Sequence, residues 1–175
     1  MLCMRFFPEQ TIICRNFIGD KAKEVYNEYT ESKEKKEVQA LNYENMKAVW
    51  ISQYDLYGMC SNGNGQRPEK EFRQSVRTAM ENIVDSGFNT LFVQVRPFGD
   101  SICASKLFPT SYIVTGSYGK EAEYDPFAII VEEAKERELS VHAWINPLRL
   151  MTNDEIQNIG GEYTVAKWYA DDEKR

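Results

Sequence analysis

A chain of 175 residues has room for one ordinary domain with its own core, and 42% hydrophobic against 27% charged residues is a globular mixture. A net charge of −6, with basic residues interleaved among acids, argues against a nucleic-acid surface, which clusters Lys and Arg on one face. The single histidine leaves no histidine cluster for a metal, and Cys3, Cys14, Cys60 and Cys103 are too irregularly spaced for zinc or a dense disulfide framework, so they read as small buried thiols.

In chain order, the start MLCMRFFPEQTIIC is broken by Arg5, Pro8, Glu9 and Gln10. It lacks the apolar stretch of an export signal, and no run in the chain reaches the length of a membrane span. Residues 1–19 show no clear period, and 20–38 predict a solvated helix with a thin stripe of Ala22, Val25, Tyr26 and Tyr29. Residues 1–46 are therefore expected to be a partly helical extension, and the main domain to occupy 47–175. KAVWISQYDL, from Lys47 to Leu56, predicts the first buried strand. The loop after it, SNGNGQRP, places Gly63 near Gly65, but no G-x-G-x-x-G is completed and no strand leads directly into it. A flexible βα loop is expected, a cofactor-using α/β enzyme is disfavoured, and no cofactor is predicted.

Pro68 suits the first turn of a helix, and Phe72, Val76, Ala79, Met80, Ile83 and Val84 recur at helical spacing before Gly87 stops it. FNTLFVQVRPFGD, from Phe88 to Asp100, then turns abruptly from apolar to Gln94, Arg96 and Asp100, as a buried strand does when it delivers polar groups to one end of a sheet. The connection from Pro97 to Tyr124 is long and aromatic, which predicts an ordered functional loop. Asp125 and Pro126 open another helix that should bury Phe127, Ile130, Val131 and Ala134. No glycine ends it, so a left-handed Glu138 would cost about 1 kcal/mol. LSVHAWINPLR, 139–149, predicts a third strand; Thr152-x-x-Glu155 predicts a capped short helix ended by Gly160 and Gly161; and Thr164 to Ala170 predicts a last helical piece carrying Trp168 and Tyr169.

Three strands separated by two helices predict a parallel βαβαβ unit with right-handed crossovers. Ligands of such sheets bind beyond the carboxyl ends of the strands. That rule selects Tyr54 and Asp55 after the first strand, Gln94, Arg96 and Asp100 after the second, and Asn146 and Arg149 after the third. Strand alternation adds His142 and Trp144. Each has a plainer reading beside the functional one. Arg96 and Asp100 would form a structural ion pair, His142 would be a hydrogen-bonded core histidine, and Trp50 and Trp144 would be core aromatics.

KAVWISQYDL, FNTLFVQVRPFGD, SKLFP followed by VTGSYGK, YDPFAIIVEEA and HAWINPLR resemble, in order and spacing, the glycosyl hydrolase-like 10 family. The resemblance covers about Tyr43 to Arg149. It implies a (β/α)8 barrel and a carbohydrate substrate, in a group whose members are commonly exported and associated with the cell envelope. Cys103 stands where the family tends to have an aromatic, Thr110 where it has tryptophan, and Glu138 where it has glycine. Such a barrel takes about 250 residues, so the resemblance implies that this chain supplies its first strands. A glycosidase needs two carboxylates about 5 to 9.5 Å apart, and in many barrel glycosidases these come from later strands. The chain is then expected to contribute substrate-positioning residues to a glycoside hydrolase acting on a bacterial or environmental polysaccharide. The alternative is a non-catalytic glycan-binding or cell-envelope module on a degenerate barrel. Further expectations are strand order 1-2-3, both long helices on one face of the sheet, and self-association through the unpartnered sheet surface.

Overall fold

The computed structural model of the chain describes Asn42 and residues 44–173. The helix expected at 20–38, with Cys3 and Cys14, lies outside the described residues. The elements are β1 (Ala48–Ile51), α1 (Gln53–Cys60), α2 (Glu69–Asp85), β2 (Thr90–Arg96), α3 (Tyr112–Thr115), α4 (Pro126–Lys135), β3 (Ser140–Ile145), α5 (Asn153–Ile156) and α6 (Thr164–Tyr169).

The three strands pair in parallel in the order β1-β2-β3, with Trp50 opposite Phe92, Phe92 opposite His142 and Gln94 opposite Trp144. Alternation along the strands then divides the sheet into two chemically different faces. Ile51, Leu91, Val93 and Val95 pack into one core with Phe72, Val76 and Met80 of α2 and Ile129, Ile130 and Ala134 of α4. Both crossover helices lie on that face and meet at Glu133 of α4, whose carboxylate is held by Arg73 at 3.1 Å and Arg77 at 2.9 Å from α2. The other face carries Trp50, Phe92 and His142, with Trp50 stacked on Phe92 at 4.6 Å and Phe92 on His142 at 4.8 Å. A parallel sheet with both crossover helices on one side is a segment of an α/β barrel, because a doubly wound sheet would place helices on both sides.

The lower end of the sheet is sewn by two asparagines. Asn89 accepts the Lys47 N–H through its side chain at 2.9 Å, and Asn42 donates from its side chain to the Asn89 carbonyl at 2.8 Å. Among the described residues no helix is long and apolar enough to cross a membrane.

Several boundaries differ from those the sequence predicts. The first strand ends at Ile51 rather than Leu56, because Ser52-x-x-Asp55 starts a helix. The Asp55 carboxylate accepts the Ser52 N–H at 2.8 Å and the Ser52 hydroxyl at 2.6 Å, half of a capping box. Leu56 and Cys60, four apart, are then buried by the two-turn α1. The SNGNGQRP loop consequently leaves a helix, and Ser61 orders it by donating to the Gly65 carbonyl at 3.0 Å and accepting the Gly63 N–H at 3.2 Å. Val84 and Val131 sit on exposed faces and Phe127 is only partly buried, while Ile129 and Glu133 join the expected Ile130 and Ala134 in the buried positions of α4. α5 stops at Ile156, ahead of the two glycines, since Asn158 and Ile159 close tight three-residue turns onto Glu155 and Ile156.

Other local expectations hold. Gly87 adopts a φ of 78° after α2, Asp125 caps α4 by accepting the Ala128 N–H at 3.0 Å, and Thr152 with Glu155 forms a full capping box. Glu138 has a φ of 57°, the left-handed conformation that disfavours a side chain by about 1–2 kcal/mol. The 97–124 connection is ordered: Ser101 pairs with Thr110, and Ile102, Ile113 and Val114 enter the core.

Candidate functional site

A cleft of about 470 Å³ opens where the carboxyl ends of the strands meet the start of α1. Ser52, Gln53 and Tyr54 line one side, Gln94 and Trp144 come from the ends of β2 and β3, and Asn146 to Arg149 line the other side. Each side chain is delivered by a local cause. The Asp55 cap on Ser52 turns the chain from β1 into α1 at the cleft edge, leaving Tyr54 78% exposed beside it. Gln94 is buried, and its side-chain oxygen accepts the Gln53 N–H at 2.9 Å, which binds the end of β2 to the first residue of α1.

Trp144 is fixed by a relay. Its indole N–H donates to the Asn146 side-chain oxygen at 2.9 Å, and the Asn146 amide nitrogen donates to the Pro97 carbonyl at 3.1 Å. One asparagine thereby holds the indole and the loop leaving β2 together. Arg149 lays its guanidinium 4.4 Å over the Phe98 ring, a cation–π contact that keeps a positive charge at the rim.

Five of the residues selected from sequence, Tyr54, Gln94, Trp144, Asn146 and Arg149, are thus brought together in one cleft. The other four are placed differently. Asp55 belongs to the helix cap rather than to a strand end. Arg96 donates through one nitrogen to the carbonyls of Asn146 at 2.8 Å and Pro147 at 3.1 Å, and its guanidinium lies 4.4 Å over Phe108. It latches the end of β2 to the exit of β3. Asp100 is buried and accepts the Phe98 N–H at 2.8 Å. Burial pushes its carboxyl pKa up, opposed by hydrogen bonds from Ser111 and the backbone and by the charge of Arg96. No Arg96–Asp100 ion pair forms among the described residues; both instead secure loop backbone. His142 is buried in β3 on the aromatic face, one register pair deeper than Trp144.

Sequence reasoning missed Ser52 and Gln53 because it extended the strand through them. The signal that identifies them is Ser-x-x-Asp directly after the apolar run AVWI. Among the described residues no three His, Cys, Asp or Glu side chains are grouped to hold a metal. Cys60 is buried, and burial pushes its thiol up to about 12, so it stays protonated and inert at neutral pH.

Comparison with known proteins bears on what such a cleft does. The family model described as Glycosyl hydrolase-like 10 matches residues 45–163. Glycosyl hydrolase DigH of Escherichia coli (strain K12) is 33% identical over 114 residues, which are 62% of this chain and 26% of that protein. DigH of Shigella flexneri matches to the same extent, and Glycosyl hydrolase YngK of Bacillus subtilis (strain 168) is 37% identical over 84 residues, 48% of this chain and 16% of that protein. The chain therefore spans about a quarter or less of the length of these curated relatives.

Proposed function

We propose a function from one premise: the chain belongs to the glycosyl hydrolase-like 10 family. Residues 47–175 furnish the first strands of a glycosidase-type barrel, with 1–46 as an extension, and their cleft positions a polysaccharide for hydrolysis. The observation that carries this reading is the set of groups around the cleft. Tyr54 and Trp144 offer aromatic rings to the apolar faces of a sugar, Gln94 and Asn146 offer amides, and Arg149 a guanidinium. Sugar hydroxyls need several directed donors and acceptors on one ring, and amides and guanidinium groups present them. His142, Arg96, Asp100 and Asp55 serve as support: they order the strand ends and loops on which those side chains sit.

A second reading is favoured by the same lining. Amide, aromatic and cationic groups are the chemistry of binding, whereas glycoside cleavage uses a pair of carboxylates about 5 to 9.5 Å apart. The cleft then belongs to a glycan-binding module. Retention of the chain on insoluble polysaccharides, together with assay of new reducing ends, separates the readings. Both expect retention. Hydrolysis expects reducing ends once the chain is joined to later barrel strands of a relative, and the binding module expects none. A chain that is retained on no polysaccharide contradicts both.

A further inference from the structure

Gln53 is the first residue of α1 and only 5% exposed, although it lines the cleft. Its carboxamide oxygen is buried and has no hydrogen-bond partner. Buried polar atoms in folded proteins are nearly always partnered, so a long amide turned inward without one calls for an explanation. Helix capping does not supply it: Ser52 and Asp55 perform that task, and only the main-chain N–H of Gln53 is used, by Gln94 at 2.9 Å.

We propose that Gln53 is a ligand-positioning residue, its carboxamide accepting a hydrogen bond from a sugar hydroxyl bound against Trp144. The inference rests on the carbohydrate reading of the cleft and adds to it the group that the ligand must carry. Gln53 lines the cleft, and its terminal amide torsion is broad and two-fold, so the carboxamide is free to turn toward a ligand bound there. That oxygen is satisfied only by a donor. Hydroxyl-bearing rings supply one, whereas a carboxylate or sulfate edge offers acceptors alone. The ligand must therefore present a donor such as a hydroxyl to Gln53 at this position.

The test is calorimetric titration of the chain with cellotetraose and chitotetraose, alongside a Gln53→Met variant that keeps length and volume and removes the amide. Binding to at least one sugar by the unaltered chain, at least tenfold weaker in Gln53→Met with Tm unchanged or raised, is the expected result. A variant that binds as tightly as the unaltered chain overturns the assignment of Gln53 and leaves the carbohydrate reading standing. Loss of binding together with a lowered Tm or loss of fold overturns the assignment as well, because the amide is then structural. Failure of the unaltered chain to bind either sugar removes the carbohydrate reading at this cleft, and the assignment with it.

Discussion

Replacing Glu133 with alanine is expected to lower the unfolding free energy by about 1.5–3 kcal/mol, the loss of charge-assisted hydrogen bonds made by a buried carboxylate. The Glu133 side chain has no solvent exposure and is held by Arg73 at 3.1 Å, Arg77 at 2.9 Å and Arg137 at 3.1 Å. Deleting the carboxylate removes the one partner shared by all three guanidinium groups at the seam between α2 and α4, the two helices that back the sheet, and leaves Arg73 with Glu69 and Glu132 and Arg137 with Glu81 and Glu136. Burial alone pushes the carboxyl pKa up, but hydrogen bonds from Arg77, Arg73 and Arg137 outweigh it and hold the value below the ordinary 4.5. A group whose pKa is depressed by folding stabilises the protein above its unfolded value and loses that contribution as pH falls through the folded value. Urea unfolding of the unaltered chain should therefore show stability falling below about pH 4.5, from the ordinary glutamate value, with a weaker fall in Glu133→Gln. A Glu133→Ala variant within about 1 kcal/mol of the unaltered chain would mean that the cluster is a solvated surface network, of the kind worth little.

Trp144→Ala should weaken glycan binding by about tenfold to a hundredfold, since removing an aromatic platform that a ligand would cover forfeits on the order of 1.5–3 kcal/mol and each 1.4 kcal/mol is a factor of ten. The side chain is suited to that role because it does not need to find its place. Asn146 holds its N–H at 2.9 Å, and Trp50 meets it edge-on with ring centroids 5.2 Å apart. A ring fixed before the ligand arrives loses little freedom on binding. Asn146→Ala should produce a smaller loss by freeing both the indole and the Pro97 carbonyl. Affinity measured by titration against Tm decides the matter: a loss of stability with unchanged affinity per folded molecule would make Trp144 a core aromatic, the plainer reading of its sequence.

The parts of the fold legible in the sequence are those whose causes are local. The apolar run before Gln94 identifies β2, Asp125-Pro126 marks the start of α4, and Gly87 and Thr152-x-x-Glu155 mark a stop and a cap, all of which act within a few residues. The start of α1 was harder to see because AVWI runs into SQYD without glycine or proline, and a helix of two turns has too few positions to display a period. Glu133 was hidden for another reason. In EEAKER it looks like one of several solvated acids, and only tertiary packing brings Arg73 and Arg77 of α2 onto it. At the site, the strand-end rule reaches Gln94, Asn146 and Arg149 because strand direction places them, and the two-residue period of the strand adds Trp144. It does not distinguish them from Arg96 and Asp100, whose side chains turn to loop carbonyls and amides that sequence does not reveal.

The central claim, that the cleft at the strand ends receives a sugar, is tested most directly by nuclear magnetic resonance titration of the chain with cellotetraose and chitotetraose. The indole N–H of Trp144 and the side-chain amides of Gln94 and Asn146 should shift together and saturably, while the indole N–H of Trp168, exposed on α6, stays in place. Saturable binding whose shifts leave Trp144, Gln94 and Asn146 unmoved would place the ligand elsewhere and contradict the account.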